Sequence, residues 1–160
     1  MGLLIKVVES QQETGEIQTL RIAVFVTEQG VPLDIEIDAD DFTAIHAVAF
    51  LDGSIIGTGR LIMETAIGAR IGRMAVMISA RRRGVGSAIL QFLEDVAIFR
   101  GIKVITLHAQ EYVKQFYMEA GYTEQGDPFM EAGILHVEMT KEISLSTKKG
   151  ETKNHENRGE

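Results

Sequence analysis

The chain has 160 residues, 45% apolar and 24% charged, with a formal net charge of −7 and no cysteine. That length and composition predict one soluble globular domain with a single core. The charge argues against general nucleic-acid binding, disulfide and protein-thiolate chemistry are excluded, and no apolar run approaches the roughly 18 residues of a membrane span.

The N-terminus MGLLIKVVES lacks the long apolar stretch and cleavage site of a signal peptide and the hydroxyl residue of a myristoylation signal. A cytoplasmic location is the expectation. Leu3–Val8 is an apolar, β-branched run and predicts a strand. Ile17–Val26 predicts a helix packed on one side, broken by Gly30 and Pro32. An acidic loop or short helix follows, up to Asp41. Ile45–Leu51 and Ile55–Met63 predict strands, and Asp52-Gly53-Ser54 between them predicts a hairpin turn. Ala69–Ile78 predicts a further strand.

Ser87–Arg100 is the clearest helix. Ile89, Leu93 and Val96 recur at i, i+4 and i+7, Leu90 and Ala97 widen the stripe, and Gly101 is a natural stop. Val104–His108 predicts a strand, Tyr112–Ala120 a helix stopped by Gly121, and Leu135–Thr140 a last strand. The unit 70–108 predicts a right-handed crossover between parallel strands. The whole is a mixed α/β sheet. Residues 1–143 form the expected domain. The polar stretch 144–160 cannot bury enough surface to order itself and is the expected flexible tail.

Charge is uneven along the chain. Glu28, Asp34, Glu36, Asp38, Asp40 and Asp41 form an acidic block without a base. Arg60, Arg70, Arg73, Arg81, Arg82 and Arg83 form a basic block with Glu64 as its one acid. As opposed blocks they suggest a cation site and an anion site on one domain. The basic block runs into Gly84-Val85-Gly86 and a helix. A strand feeding such a turn leaves backbone N–H groups unpaired at the helix start, where the macrodipole adds about half a positive charge. Phosphate fits there. The Walker loop's G-K-[ST] is missing, and Ile89 stands where a dinucleotide fingerprint needs its third glycine.

Arg81-x-x-Gly84-x-Gly86, after a strand and ahead of an amphipathic helix, resembles the acetyl-CoA signature of the GCN5-related N-acetyltransferases. Gln110-x-x-Val113-x-x-Phe116-Tyr117 followed by Ala120-Gly121-Tyr122 is similar to that family's second cofactor-contacting helix. Val24-Phe25-Val26-x-Glu28-Gln29, with Asp38, Asp41 and His46, and Phe129-Met130-Glu131-x-Gly133-Ile134-x-His136 resemble one bacterial branch of small members. The family often has Asn where Gln110 stands and Ala where Val113 stands.

The resemblance implies a mostly antiparallel mixed sheet of six to seven strands flanked by about four helices. It implies direct acetyl transfer from acetyl-CoA to an amine. Arg81, Arg82, Arg83, Gly84, Val85, Gly86 and Ser87 would hold the pyrophosphate, Met74, Ala75 and Val76 the thioester carbonyl, and Gln110 another part of the cofactor. Tyr117 occupies the general-acid position for the thiolate. A base must take the amine's proton. Glu28, Glu131 and a water chain are the candidates. Gln29, His46, Arg60, Glu131 and His136, with Glu28, would meet the acceptor. The acidic block favours a cationic acceptor, Arg60 and Arg73 an anionic group on it. The four histidines lack the paired spacing of a metal site, so no metal is expected. The partner is a small amine, without nucleic acid or membrane, and the family leaves a homodimer possible. Two rivals remain: a non-catalytic acyl-CoA sensor, and a phosphopeptide or nucleic-acid binder using the arginines.

Overall fold

The computed structural model describes residues 2–143, so the expected tail lies outside the described residues. Among the described residues, seven strands run in chain order: β1 (Leu3–Val7), β2 (Ile45–Leu51), β3 (Ser54–Met63), β4 (Gly68–Val76), β5 (Val104–Gln110), β6 (Thr123–Glu131) and β7 (Ile134–Glu142). Four helices accompany them: α1 (Gln11–Arg21), α2 (Leu33–Glu36), α3 (Val85–Phe99) and α4 (Lys114–Glu119). One sheet holds every strand in the order β1-β2-β3-β4-β5-β7-β6. Every neighbouring pair is antiparallel except β4 with β5. The expected mixed, mostly antiparallel sheet is therefore present.

Local chemistry explains the joints. Asp52 and Gly53 both take positive φ, 50° and 87°, the turn whose twist suits a two-residue hairpin. Ala132 and Gly133 repeat it between β6 and β7, at 52° and 77°. Ser10 caps α1 by accepting the Glu13 N–H at 3.1 Å, so the helix begins well before its first apolar residue, Ile17. It continues as a π-helical segment over Ile22–Glu28. Helix α3 buries Val85, Ile89, Leu90, Leu93 and Ala97 against β3. Glycine is required opposite them. A Cβ at Gly59 would sit 3.0 Å from Ile89 and Leu93 and 2.7 Å from the Met74 sulfur.

Several expectations shift. The strand expected at 69–78 ends at Val76 and gives way to a 3₁₀ turn. The helix expected at 112–120 is a 3₁₀ turn followed by the short α4. Strand β6 was not expected, because Gly126 and Pro128 interrupt a polar run. It is the exposed edge strand, with its register broken between Gln125 and Phe129, where proline and bulges are tolerated. Glu131 accordingly ends a strand rather than lying in a loop.

Two irregularities shape the centre of the sheet. Strands β4 and β5 pair only at Gly68–Arg70 with Val104–Thr106. Beyond that β5 continues along β7 to Gln110, so Ile71–Val76 has no strand partner on its β5 side. On the other side Thr58 pairs with Ala75 and Arg60 with Gly72. Gly59 thus faces two residues, Arg73 and Met74, and this β-bulge holds Arg73 at φ 50°.

Candidate active site

The gap between β4 and β5 opens into a cleft of ≈ 930 Å³. The N-terminus of α3 forms one wall. Gly84 adopts φ 79° and the first helical bond runs from Ala88 N–H to its carbonyl at 3.0 Å. No side chain caps the helix. The N–H groups of Val85, Gly86 and Ser87 therefore lack an intrahelical acceptor and stand at the positive end of a 15-residue helix. A Cβ at Gly86 would come within 3.5 Å of the Phe116 ring, so glycine keeps the approach to these amides open. The donor set suits a diphosphate.

Arg81 does not stand free beside them. Its Nε donates to the Val76 carbonyl at 2.8 Å, and its two terminal nitrogens grip both Glu28 oxygens at 2.8 Å. The guanidinium holds the Glu28 carboxyl below its usual range, which weakens it as a base. Next to it, Gln110 Nε2 donates to Gln29 Oε1 at 2.8 Å, joining the end of β5 to the segment after α1.

The acidic and basic blocks also meet each other. Arg21 Nε lies 2.7 Å from Glu36 and Nη1 2.8 Å from Asp41. Arg60 Nη1 lies 2.8 Å from Asp38 and 2.9 Å from Asp41. Arg73 reaches Glu36 and Asp38, both at 3.1 Å, and the Ile35 and Glu36 carbonyls. Arg21 and Glu36 are almost wholly buried, 1% and 2% exposed. Burial pushes the Asp41 carboxyl up, but Arg21, the Asp38 N–H and Arg60 outweigh it and hold it at about 2. Burial wins at Glu36, which is raised. This network ties α1, residues 33–42 and β3 to the bulge at Arg73. The expectation that Arg60 and Arg73 favour an anionic group on the acceptor is corrected: both are committed to Glu36, Asp38 and Asp41 rather than waiting for one.

Tyr117 lines the cleft. Its ring packs edge-on against Phe116 at 5.0 Å and Tyr122 at 6.0 Å, and its hydroxyl bonds no other described residue. Burial pushes the phenol up to about 12. Full proton transfer from it to a thiolate, whose conjugate acid lies near ~8.5, is uphill by roughly 5 kcal/mol. The hydroxyl suits a relay that is refilled as it gives, rather than a lone acid.

The far wall is built by β5, β6 and β7. His108 Nδ1 lies 3.0 Å from Glu131 Oε1 and Nε2 3.5 Å from Glu138. His136, 6% exposed, directs Nδ1 to the Ile134 carbonyl at 2.7 Å and Nε2 toward Glu131 Oε2 at 3.7 Å. Phe129 stacks on the His136 ring at 6.0 Å.

Glu28, Gln29, Arg60, Met74, Ala75, Val76, Arg81, Arg82, Gly84, Val85, Gly86, Ser87, Gln110, Tyr117, Glu131 and His136 all line this one cleft. His46 and Arg83 do not. His46 Nε2 bonds the Asp41 carbonyl at 2.9 Å, which is a structural role, and Arg83 is exposed outside the lining. Sequence reading missed Arg21 and His108. Arg21 follows Ile17 by one helical turn on the buried face, and His108 alternates with Gln110 along β5; both periodicities were readable. Among the described residues no three His, Asp or Glu side chains converge as a metal site, and no helix is long and apolar enough to cross a membrane.

A family model described as an acetyltransferase (GNAT) domain matches residues 8–143. The chain belongs to that acetyltransferase family. A candidate acetyltransferase of Bacillus subtilis (strain 168) is 33% identical over 141 residues, covering 86% of this chain and 95% of the relative. The crystal structure of a candidate N-acetyltransferase from Lactobacillus plantarum superposes with a TM-score of 0.83 at 29% identity, covering 89% of this chain and 99% of that one. An aminoglycoside 6′-N-acetyltransferase, solved as a complex with coenzyme A, shares the fold at 15% identity and a TM-score of 0.72, over 87% of this chain and 96% of that one.

Proposed function

We propose that the protein transfers the acetyl group of acetyl-CoA directly to a primary amine of a small molecule. The observation that carries this reading is the divergence of β4 from β5 beside the uncapped start of α3. The amides of Val85, Gly86 and Ser87 bind the diphosphate, with Arg82 beside them. Backbone donors within Met74–Val76 that do not pair with β3 face the gap left by β5 and polarise the thioester carbonyl. Tyr117 passes a proton to the departing sulfur. The match to the acetyltransferase family and the coenzyme A held by a structural neighbour support the choice of cofactor. The domain spans 1–143 and acts in the cytoplasm, as a monomer or a homodimer.

The acceptor is a neutral or cationic amine, since the cleft arginines Arg60, Arg73 and Arg81 are paired with carboxylates. The rival is an acyl-CoA sensor without turnover. Acetyl-CoA mixed with a panel of primary amines separates the two. The enzyme releases free thiol in step with acetylated amine. Saturable binding with no thiol across the panel leaves the sensor.

A further inference from the structure

The proton acceptor has so far been open between Glu28, Glu131 and water. Glu28 is bound on both oxygens by Arg81, and its proton affinity is reduced. Glu131 receives His108 on one oxygen at 3.0 Å. Glu28 therefore has no free oxygen, and Glu131 keeps only Oε2, which faces His136 Nε2 at 3.7 Å. The buried histidine on β7 is different. A carbonyl oxygen only accepts, so the 2.7 Å contact from His136 Nδ1 to Ile134 O requires the proton on Nδ1. In the neutral ring Nε2 then carries a lone pair. No described group donates to that nitrogen. The ring is fixed by Phe129 on one face and borders the cleft. Its strand neighbour across the ladder is Gln110, at the open end of the gap between β4 and β5.

We infer that His136 Nε2 is the base that deprotonates the acceptor ammonium, with Glu131 stabilising the imidazolium and His108 positioning Glu131. This rests on the acetyltransferase reading above. Before attack, Nε2 takes one proton from the ammonium. The nitrogen lone pair forms the C–N bond, and the C–S electron pair leaves with sulfur. Sulfur takes the Tyr117 proton, and the second nitrogen proton refills the phenol. His136 later returns its proton to water, so one proton is released for each amide and thiol formed. The charge on the imidazolium meets Glu131 Oε2 at 3.7 Å. The other ionisable groups around the wall are His108 on β5, Glu138 on β7, and the mutually neutralised Glu28–Arg81 pair across the cleft.

Two measurements on the full chain test this. The first needs no acceptor: ¹⁵N spectra of histidine-labelled protein, with His136 assigned by its loss in His136→Asn. They should show the neutral His136 ring protonated on Nδ1 and bare on Nε2. The opposite tautomer overturns the inference. The second is the pH dependence of thiol release with acetyl-CoA and ethanolamine, 1,4-diaminobutane and glucosamine as acceptors. Wild type should lose kcat/KM on the acid side as the ring protonates. His136→Asn keeps the donor to Ile134 but has no lone-pair nitrogen at Nε2. It should fall about 10²–10⁴-fold and lose that acid limb, with unchanged coenzyme A affinity. In Glu131→Gln the limb should move to lower pH. A His136→Asn enzyme that keeps the rate and the limb overturns the inference while the acetyltransferase reading stands. If wild type releases no thiol with any of the three amines, that reading is what fails, and the tautomer result still stands by itself.

Discussion

Two tyrosines on the same short stretch of chain separate catalysis from stability. Tyr117 and Tyr122 touch edge to face, yet their hydroxyls differ. The Tyr122 hydroxyl donates to Glu94 Oε2 at 2.8 Å, inside the core, and Glu94 also receives Lys141 at 3.0 Å. The Tyr117 hydroxyl has no partner among the described residues. Tyr122→Phe removes a buried hydrogen bond to a charged group, a loss of about 1.5–3 kcal/mol. At about 2–4 °C per kcal/mol for a chain of this size, its Tm should drop by several degrees. Tyr117→Phe strands no buried partner and keeps both ring contacts, so stability should change by less than about 0.5 kcal/mol. Its cost is in turnover. Losing the relay to sulfur should lower kcat by about 10²–10⁴-fold, or roughly 3–5 kcal/mol in the barrier, with coenzyme A affinity retained. Thermal melts and thiol-release kinetics on both variants provide the check. A Tyr117→Phe protein that turns over like wild type refutes the relay. One that melts as early as Tyr122→Phe refutes the assignment of its hydroxyl to chemistry rather than to the core.

Asp41→Asn should cost about 3–5 kcal/mol, because it leaves Arg21 and Arg60 short of a buried partner; denaturant melts measure it. Asp41 also sets an acid limit. Its folded pKa of about 2 lies below the ordinary 3.8, so its contribution, about 2 kcal/mol, is fully present above pH ~4 and lost as pH falls toward ~2. Stability measured against pH should lose part of that slope in Asp41→Asn. Gly86→Val should weaken coenzyme A binding more than about tenfold, at least 1.4 kcal/mol, because its methyls fill the space between Phe116 and the α3 amides; unchanged affinity by calorimetry would refute that geometry. Glu28→Gln should leave the acid limb of the pH–rate profile in place and change stability by no more than about 1 kcal/mol, since the Arg81 pair is about a third exposed on each side.

The sheet was readable wherever burial imposes a period. The alternating runs of β2 and β3 and the Asp-Gly turn placed a hairpin, and the Ile89–Val96 stripe placed α3. Strand β6 was not readable, because an edge strand with both faces wet carries no apolar alternation. The start of α1 was missed for a different reason. Its signal was the cap, Ser10 with Glu13 three residues on, rather than apolar spacing. At the site, the glycine turn pointed to the right helix end, since backbone geometry follows local sequence. The arginines were misleading. The carboxylate partners of Arg21, Arg60, Arg73 and Arg81 lie 15 to 53 residues away in the chain, and only the fold decides whether a charge faces a ligand or another side chain. His108 and His136 became a pair of ring nitrogens around one carboxylate only once β5, β7 and β6 lay side by side.

The central claim is that the open amides at the start of α3 hold coenzyme A. Titration calorimetry of coenzyme A into the intact chain tests it most directly. Saturable heat with a Kd of about 1–100 µM, or about −8.2 to −5.5 kcal/mol, weakened by Gly86→Val, is the result expected. A folded protein that gives no heat at millimolar coenzyme A would contradict it.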